Sequence, residues 1–275
     1  MNGSRDVLSR PASPPDLTVR YGPEADHVAD VRLPGTVEPR PLVVVIHGGF
    51  WAAEFDRAHA GPQSAALAGA GYVVATAEYR RIGQEGGGWP GTFDDVAALT
   101  DTLPALVADA VGSRVDTART VLVGHSAGGH LAAWAAARHR LPAGSRWHRD
   151  TPLGAGVVSL AGVLDLATAE TLGLGEQAVT RLLGGTAVQR PERYAVASPA
   201  ALLPSGARQL LVHGILDQQV PVDMSRQYAD RGRALGDAID LRELAGTGHF
   251  ELIDPRSAAW PTALESVRAV TGRPN

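Results

Sequence analysis

The chain has 275 residues with neither cysteine nor lysine, so all 25 basic residues are arginine; with 29 acids the formal net charge is −4. The missing thiols exclude a cysteine nucleophile, disulfides and thiolate-held zinc. The missing amines exclude Schiff bases, a Ser–Lys dyad and a P-loop lysine. The small negative charge argues against nucleic acid or an anionic membrane as partner.

Residues 1–16 carry Pro11, Pro14 and Pro15 with little apolar content and read as a flexible tail. They contain no apolar core of a secretory signal, and no apolar run reaches about 18 residues, so a cytoplasmic protein without a transmembrane helix is expected. Leu17–Tyr21 and Val28–Leu33 read as strands forming an antiparallel edge. Pro41–His47 (PLVVVIH) is almost wholly apolar, as in a strand covered on both faces. A helix is predicted over Ala58–Ala70, a strand over Tyr72–Glu78, and a loop over the glycine-rich Gly83–Gly91. Thr92 is expected to cap a helix that runs to Val111, with Pro104 predicting a kink or break inside it.

Farther along, Thr120–Val123 reads as a short strand and Ala127–Arg140 as a helix. Strands are also predicted at Ala155–Leu160, Gln209–His213 and Ile239–Leu244, and helices at Asp223–Leu235 and Ser257–Thr271. The alternation implies about eight strands in a mostly parallel sheet with helices on both faces. A strand-free stretch, about 165–207, reads as a small helical cap on a single domain spanning 17–275.

Four motifs carry chemistry. Gly124-His-Ser126-Ala-Gly128 lies between an apolar strand and an Ala-rich helix, the context a nucleophile elbow requires. His47-Gly48-Gly49-Phe50-Trp51 follows the buried strand; with Ala127, the backbone N–H groups of Gly48, Gly49 and Phe50 are the candidates for an oxyanion hole. Within it, Gly49 and Phe50 are favoured as donors and Gly48 as the turn former, while His47 is favoured as structural rather than as a base. His213-Gly-Ile-Leu-Asp217 places an acid just past a strand end; Asp165, after an earlier strand, is its rival. Gly246-Thr-Gly-His249-Phe250 supplies the only histidine beyond Asp217. Read together, Ser126 is the nucleophile, His249 the general base and Asp217 the residue that orients it.

These motifs, in this order, resemble the α/β-hydrolase superfamily of serine esterases and amidases, over nearly the whole chain from Leu17. His47-Gly-Gly-Phe-Trp51 with Gly124-His-Ser-Ala-Gly128 is similar to the kynurenine formamidase group, whose usual HGGYW here reads HGGFW. Ser159-Leu-Ala-Gly-Val-Leu-Asp165 and Ala197-Ser-Pro199 are similar to that group too. Glu78-Tyr79-Arg80 stands where hormone-sensitive-lipase-like esterases read DYR, and His213-Gly-x-x-Asp217-x-x-Val-Pro221 is similar to the prolyl-oligopeptidase catalytic domain. The resemblance implies an α/β-hydrolase fold and hydrolysis of a small ester or amide, with aryl-formamidase, general carboxylesterase and small peptidase-like hydrolase as the activities to separate. A hydrolase-fold protein that binds ligand without turnover is the alternative of another class, and the intact triad argues against it.

Trp51, Trp89 and Phe250 are candidate substrate contacts, with Trp89 a candidate gate in its glycine-rich loop. Trp147 and His148 read as surface residues, and Asp94 and Asp95 as acids at a helix start. No cofactor is expected, and no His–carboxylate spacing suggests a metal. An anionic substrate group would have to meet arginine, with Arg80 and Arg81 the first candidates. A small-molecule substrate is the expected partner; a homodimer is compatible with the sequence.

Overall fold

A computed structural model of the chain describes residues 3–272. Of the segments expected from sequence, residues 1 and 2 of the tail and residues 273–275 of the domain lie outside that range. Eight strands form one sheet: β1 (Leu17–Arg20), β2 (Val28–Arg32), β3 (Arg40–Ile46), β4 (Val73–Ala77), β5 (Val115–His125), β6 (Gly156–Leu160), β7 (Gln209–Gly214) and β8 (Ile239–Leu244). Their spatial order is β1-β2-β4-β3-β5-β6-β7-β8. β1 and β2 run antiparallel at one edge, and β3 to β8 are parallel.

The helices are α1 (Gly61–Gly69), α2 (Gly91–Val111), α3 (Ala127–Ala136), α4 (Leu166–Thr171), α5 (Leu174–Leu183), α6 (Pro191–Ala197), α7 (Val222–Ala234) and α8 (Trp260–Thr271). Alternate residues of the central strands face opposite layers. Val43, Val45, Val121 and Val123 pack with Leu67 of α1 and Trp260 and Val267 of α8. Val44, Ile46 and Leu122 pack with Phe93 and Leu103 of α2 and Leu131 and Trp134 of α3. α4, α5 and α6 fill the expected cap segment.

Four local expectations are corrected. α2 continues through Pro104, because Phe93, Val96, Leu99, Leu103 and Val107 bury one continuous face on either side of it. By length and hydropathy alone, α2 with its following turn (Gly91–Arg114) would also suit a bilayer span, although here that face is core. Thr92 is not its cap; its hydroxyl donates to the Arg80 carbonyl at 2.6 Å and accepts the Gly88 N–H at 3.1 Å, pinning the preceding loop. β5 begins at Val115, earlier than its polar first half suggested, because Val115 and Asp116 pair with Arg40 and Pro41.

The fourth correction concerns the tail. Gly3–Ser9 forms a 3₁₀ helix in which Val7 is fully buried among Leu67, Leu252 and Trp260. Arg10 makes a bidentate pair with Asp254. Two anchors, one apolar and one ionic, dock a segment whose average composition looked loose.

Candidate active site

β5 ends at His125, and the chain turns through Ser126 directly into α3. Ser126 has φ 56° and ψ −119°, a conformation costly for a residue with a Cβ, which marks stored strain at the turn. The flanking glycines make the turn sterically feasible. A Cβ on Gly124 would sit 2.0 Å from the Gly128 carbonyl oxygen, and one on Gly128 would sit 2.0 Å from that of Ile46. The Ser126 N–H donates to the Leu160 carbonyl at 2.9 Å, tying the elbow to β6.

The loops after β7 and β8 carry the other two predicted residues, Asp217 and His249. The Leu216 N–H donates to the Thr247 carbonyl at 2.9 Å, which holds the two loops together. Gly214 is needed there, since a Cβ on it would lie 2.3 Å from the Thr247 oxygen. Asp217 Oδ1 accepts the backbone N–H groups of Gln219 and Val220 at 2.8 and 2.9 Å, and Oδ2 lies 2.6 Å from His249 Nδ1. Burial alone would raise the Asp217 pKa; hydrogen bonds from His213 and His249 outweigh it and hold the carboxyl well below its ordinary range. An ionised carboxylate only accepts, so His249 Nδ1 is the donor of this bond.

His213 supports this arrangement, a role that its place in the HGxxD segment did not reveal. Its Nε2–H donates to the Val220 carbonyl at 2.9 Å and lies 3.3 Å from Asp217 Oδ2, while Nδ1 accepts from Ser225 Oγ at 2.7 Å. His125 braces the base from the other side: its Nε2–H donates to the His249 carbonyl at 3.1 Å. Burial, and then the neighbouring His249, push the His125 pKa well below that of a free imidazole, so it is neutral. Among the described residues the hydrogen bonds join His249 to Asp217 and stop short of Ser126 Oγ; in unliganded sites this contact tightens when substrate binds.

The His47–Trp51 segment leaves β3 with positive φ at Gly49, Phe50 and Trp51. A Cβ on Gly48 would fall 2.8 Å from the His125 oxygen and 3.2 Å from Ser126 Cβ, so the loop backbone lies against the serine. Three contacts anchor it. His47 Nε2 meets Glu78 Oε1 at 2.8 Å. The Tyr79 hydroxyl donates to the His47 carbonyl at 2.9 Å. Trp51 Nε1–H donates to His130 Nδ1 at 3.1 Å, and His130 Nε2–H donates to the Ala197 carbonyl at 2.9 Å, linking this loop through α3 to α6. His47 is therefore structural, as its position after a buried strand suggests.

Ser126, His249, Gly49, Phe50 and Phe250 line one small cavity with about 390 Å³ of free space, counting its open mouth. Phe55, His59, His125 and Gln219 line it as well, as do Arg5 and Leu8 of the N-terminal 3₁₀ helix. Several sequence expectations fail here. Trp51 is 1% exposed and packs on His130 rather than facing the cavity. Trp89 joins Phe93 and Trp147 in an aromatic cluster away from the cavity lining, and its backbone N–H donates to the Leu182 carbonyl at 2.8 Å. Trp147, expected at the surface, is 5% exposed in that cluster, with Nε1–H donating to Asp94 at 2.7 Å.

The arginine candidates are already paired. Arg80 binds Asp95 bidentately and reaches Glu24, and Arg81 binds Glu78 and Asp26. Asp95 is thus a buried partner of Arg80 and His27, not only an acid at a helix start. Asp165 caps α4, accepting from the N–H groups of Ala167 and Thr168, and among the described residues makes no hydrogen bond to His249. Among the described residues, no group of three or more His, Asp or Glu is placed to hold a metal ion.

Comparison with known proteins fits this geometry. Esterase LipC of Mycobacterium tuberculosis is 30% identical over 251 residues, 86% of this chain, and the chain spans 60% of that protein's length. A truncated carbohydrate esterase from gut microbiota superposes with a TM-score of 0.78 at 21% identity, covering 95% of this chain and 99% of its own. Thermogutta terrifontis esterase 2, described with propionate bound, superposes with a TM-score of 0.70 at 23% identity, covering 90% of each chain. The same esterase has been described phosphonylated by sarin. The BD-FAE family model matches residues 29–231. The chain therefore belongs to the BD-FAE family and carries the α/β-hydrolase fold of these esterases.

Proposed function

We propose that the protein is a serine carboxylesterase that cleaves small esters through an acyl-enzyme. The observation that carries this reading is the strained Ser126 sharing one cavity with a His249 whose Nδ1 is tied to an ionised Asp217. His249 Nε2 takes the Ser126 proton as Oγ attacks the acyl carbon. The N–H groups of Ala127, Gly49 and Phe50 stabilise the oxyanion, each donor contributing about 3 kcal/mol to the barrier reduction. As the tetrahedral intermediate collapses, His249 protonates the departing alcohol. Water then attacks the acyl-enzyme with His249 again as base, and the acid leaves with Ser126 restored.

The small cavity favours short acyl groups, in keeping with the propionate bound by the Thermogutta esterase. The reaction of that esterase with sarin supports an activated serine here too. A finer reading, aryl-formamidase, rests on the HGGFW and GHSAG segments, since formyl is the smallest acyl group.

A fluorophosphonate probe tests the mechanism: it labels the wild type and fails to label Ser126→Ala. Folded wild-type protein that takes up no probe overturns the serine mechanism. Side-by-side turnover of N-formylkynurenine and 4-nitrophenyl acetate separates the finer readings. Acetate turnover without formamide turnover leaves the esterase and removes the formamidase.

A further inference from the structure

The cavity wall contains an arginine that the hydrolytic steps do not use. Arg5 stands at the cavity with its guanidinium 5.4 Å from the Phe250 ring centroid. In a 3₁₀ helix, residues three apart eclipse one another. Arg5 and Leu8 therefore share a side, and both line the cavity. Val7 is fully buried, and Arg10, just past the helix, is locked to Asp254, so the turn that presents Arg5 is anchored on its C-terminal side.

Among the described residues, the exposed Arg5 makes no ion pair, whereas four other arginines do. Arg10 is paired with Asp254, Arg57 with Asp30 and Glu78, Arg80 with Asp95, and Arg81 with Glu78 and Asp26. Among the described residues the cavity lining contains no acid: beyond Arg5 it is Leu8, glycine, three phenylalanines, three histidines, Ser126 and Gln219. A cation over the Phe250 ring at the mouth of this cavity, with no ion pair among the described residues, matches an anion supplied from outside.

We propose that Arg5 is a specificity-determining residue that binds a carboxylate carried by the substrate, so that the enzyme prefers anionic esters to neutral ones of the same shape. This rests on the esterase reading. It assigns to the docked N-terminal segment the role that Arg80 and Arg81 were expected to fill.

The test uses two pairs of esters, because the charge can lie on either side of the scissile bond. One pair is 4-acetoxybenzoate and its methyl ester; the other is 4-nitrophenyl hydrogen succinate and 4-nitrophenyl butyrate. The readout is the ratio of kcat/KM for the charged ester to that for the neutral ester. In Arg5→Gln this ratio falls about five- to tenfold in at least one pair, Arg5→Lys restores part of it, and added salt erodes the wild-type preference. Equal ratios in wild type and Arg5→Gln for both pairs overturn the assignment to Arg5 and leave the esterase standing. Wild-type protein that turns over no member of either pair, and takes up no fluorophosphonate, overturns both readings.

Discussion

Two buried histidine–carboxylate pairs flank the same serine, and they do opposite things. In His249–Asp217 the acid takes Nδ1 at 2.6 Å and the ring lines the cavity with Nε2 uncommitted. In His47–Glu78 the acid takes Nε2 at 2.8 Å while Nδ1 faces the Gly48 carbonyl at 2.9 Å, so both ring nitrogens are spent on the loop. Glu78 is further held by the Arg57 N–H, by Arg81 and by the Tyr79 N–H. Among the described residues the two pairs differ by one ring nitrogen left without a hydrogen bond, on a histidine that lines the cavity, and not by the pairing itself.

Breaking each pair should therefore cost different things. Asp217→Asn preserves the shape and can still accept the N–H groups of Gln219 and Val220, but an amide no longer dictates the His249 tautomer. A kcat loss of about 10⁴ is expected, with the melting temperature little changed. A loss under about tenfold would remove Asp217 from the triad.

Glu78→Gln should reverse the pattern. It leaves Arg81 and His47 beside a neutral amide in a buried site, and breaking a buried pair in this way costs about 3 kcal/mol of stability. Activity should fall far less than in Asp217→Asn. The pH dependence adds a second signature. Burial opposes ionisation of Glu78, yet His47, the Arg57 N–H and Arg81 bring its pKa down from 4.5 to about 2. A carboxylate depressed in the folded state adds stability that is fully present above its unfolded pKa and is lost as pH falls through the folded one. Denaturant midpoints of the wild type should thus drop between about pH 4.5 and pH 2, and Glu78→Gln should lack that part of the drop. Equal slopes in the two proteins would mean that Glu78 is not held as an ion.

The contrast between the pairs also explains what was legible in sequence. Ser126, Asp217 and His249 sit at strand ends inside short motifs, and chain order alone separates His249 from eight other histidines. The sheet was legible for the same local reason: apolar runs such as PLVVVIH announce covered strands. The bracing contacts join residues far apart in the chain. His47 and Glu78 are 31 residues apart, Trp51 and His130 are 79 apart, and Arg10 and Asp254 are 244 apart. No local period marks such partners. The aromatic residues were misread for this reason, since a tryptophan in a polar or glycine-rich loop gives no sign of the ring it will pack on. Trp147 packs against Trp89 and Phe93 at the start of α2 and against Trp134 of α3.

The rival acid offers the smallest and sharpest test. Asp165 follows β6 much as Asp217 follows β7, so strand-end position alone does not choose between them. Local geometry does: Asp165 has extended backbone, φ −127° and ψ 104°, and its Oδ1 accepts from Ala167 N at 3.0 Å and Thr168 N at 3.2 Å, the pattern of an N-cap. Asp165→Ala should then cost only about 1 kcal/mol of stability, the usual worth of a lost cap. It should leave kcat within about twofold of wild type, since a cap loss in α4 removes no contact to the reacting atoms. A kcat loss comparable to that of Asp217→Asn would mean that His249 can take its acid from β6, and the division between a working pair and a bracing pair would need redrawing around a third carboxylate.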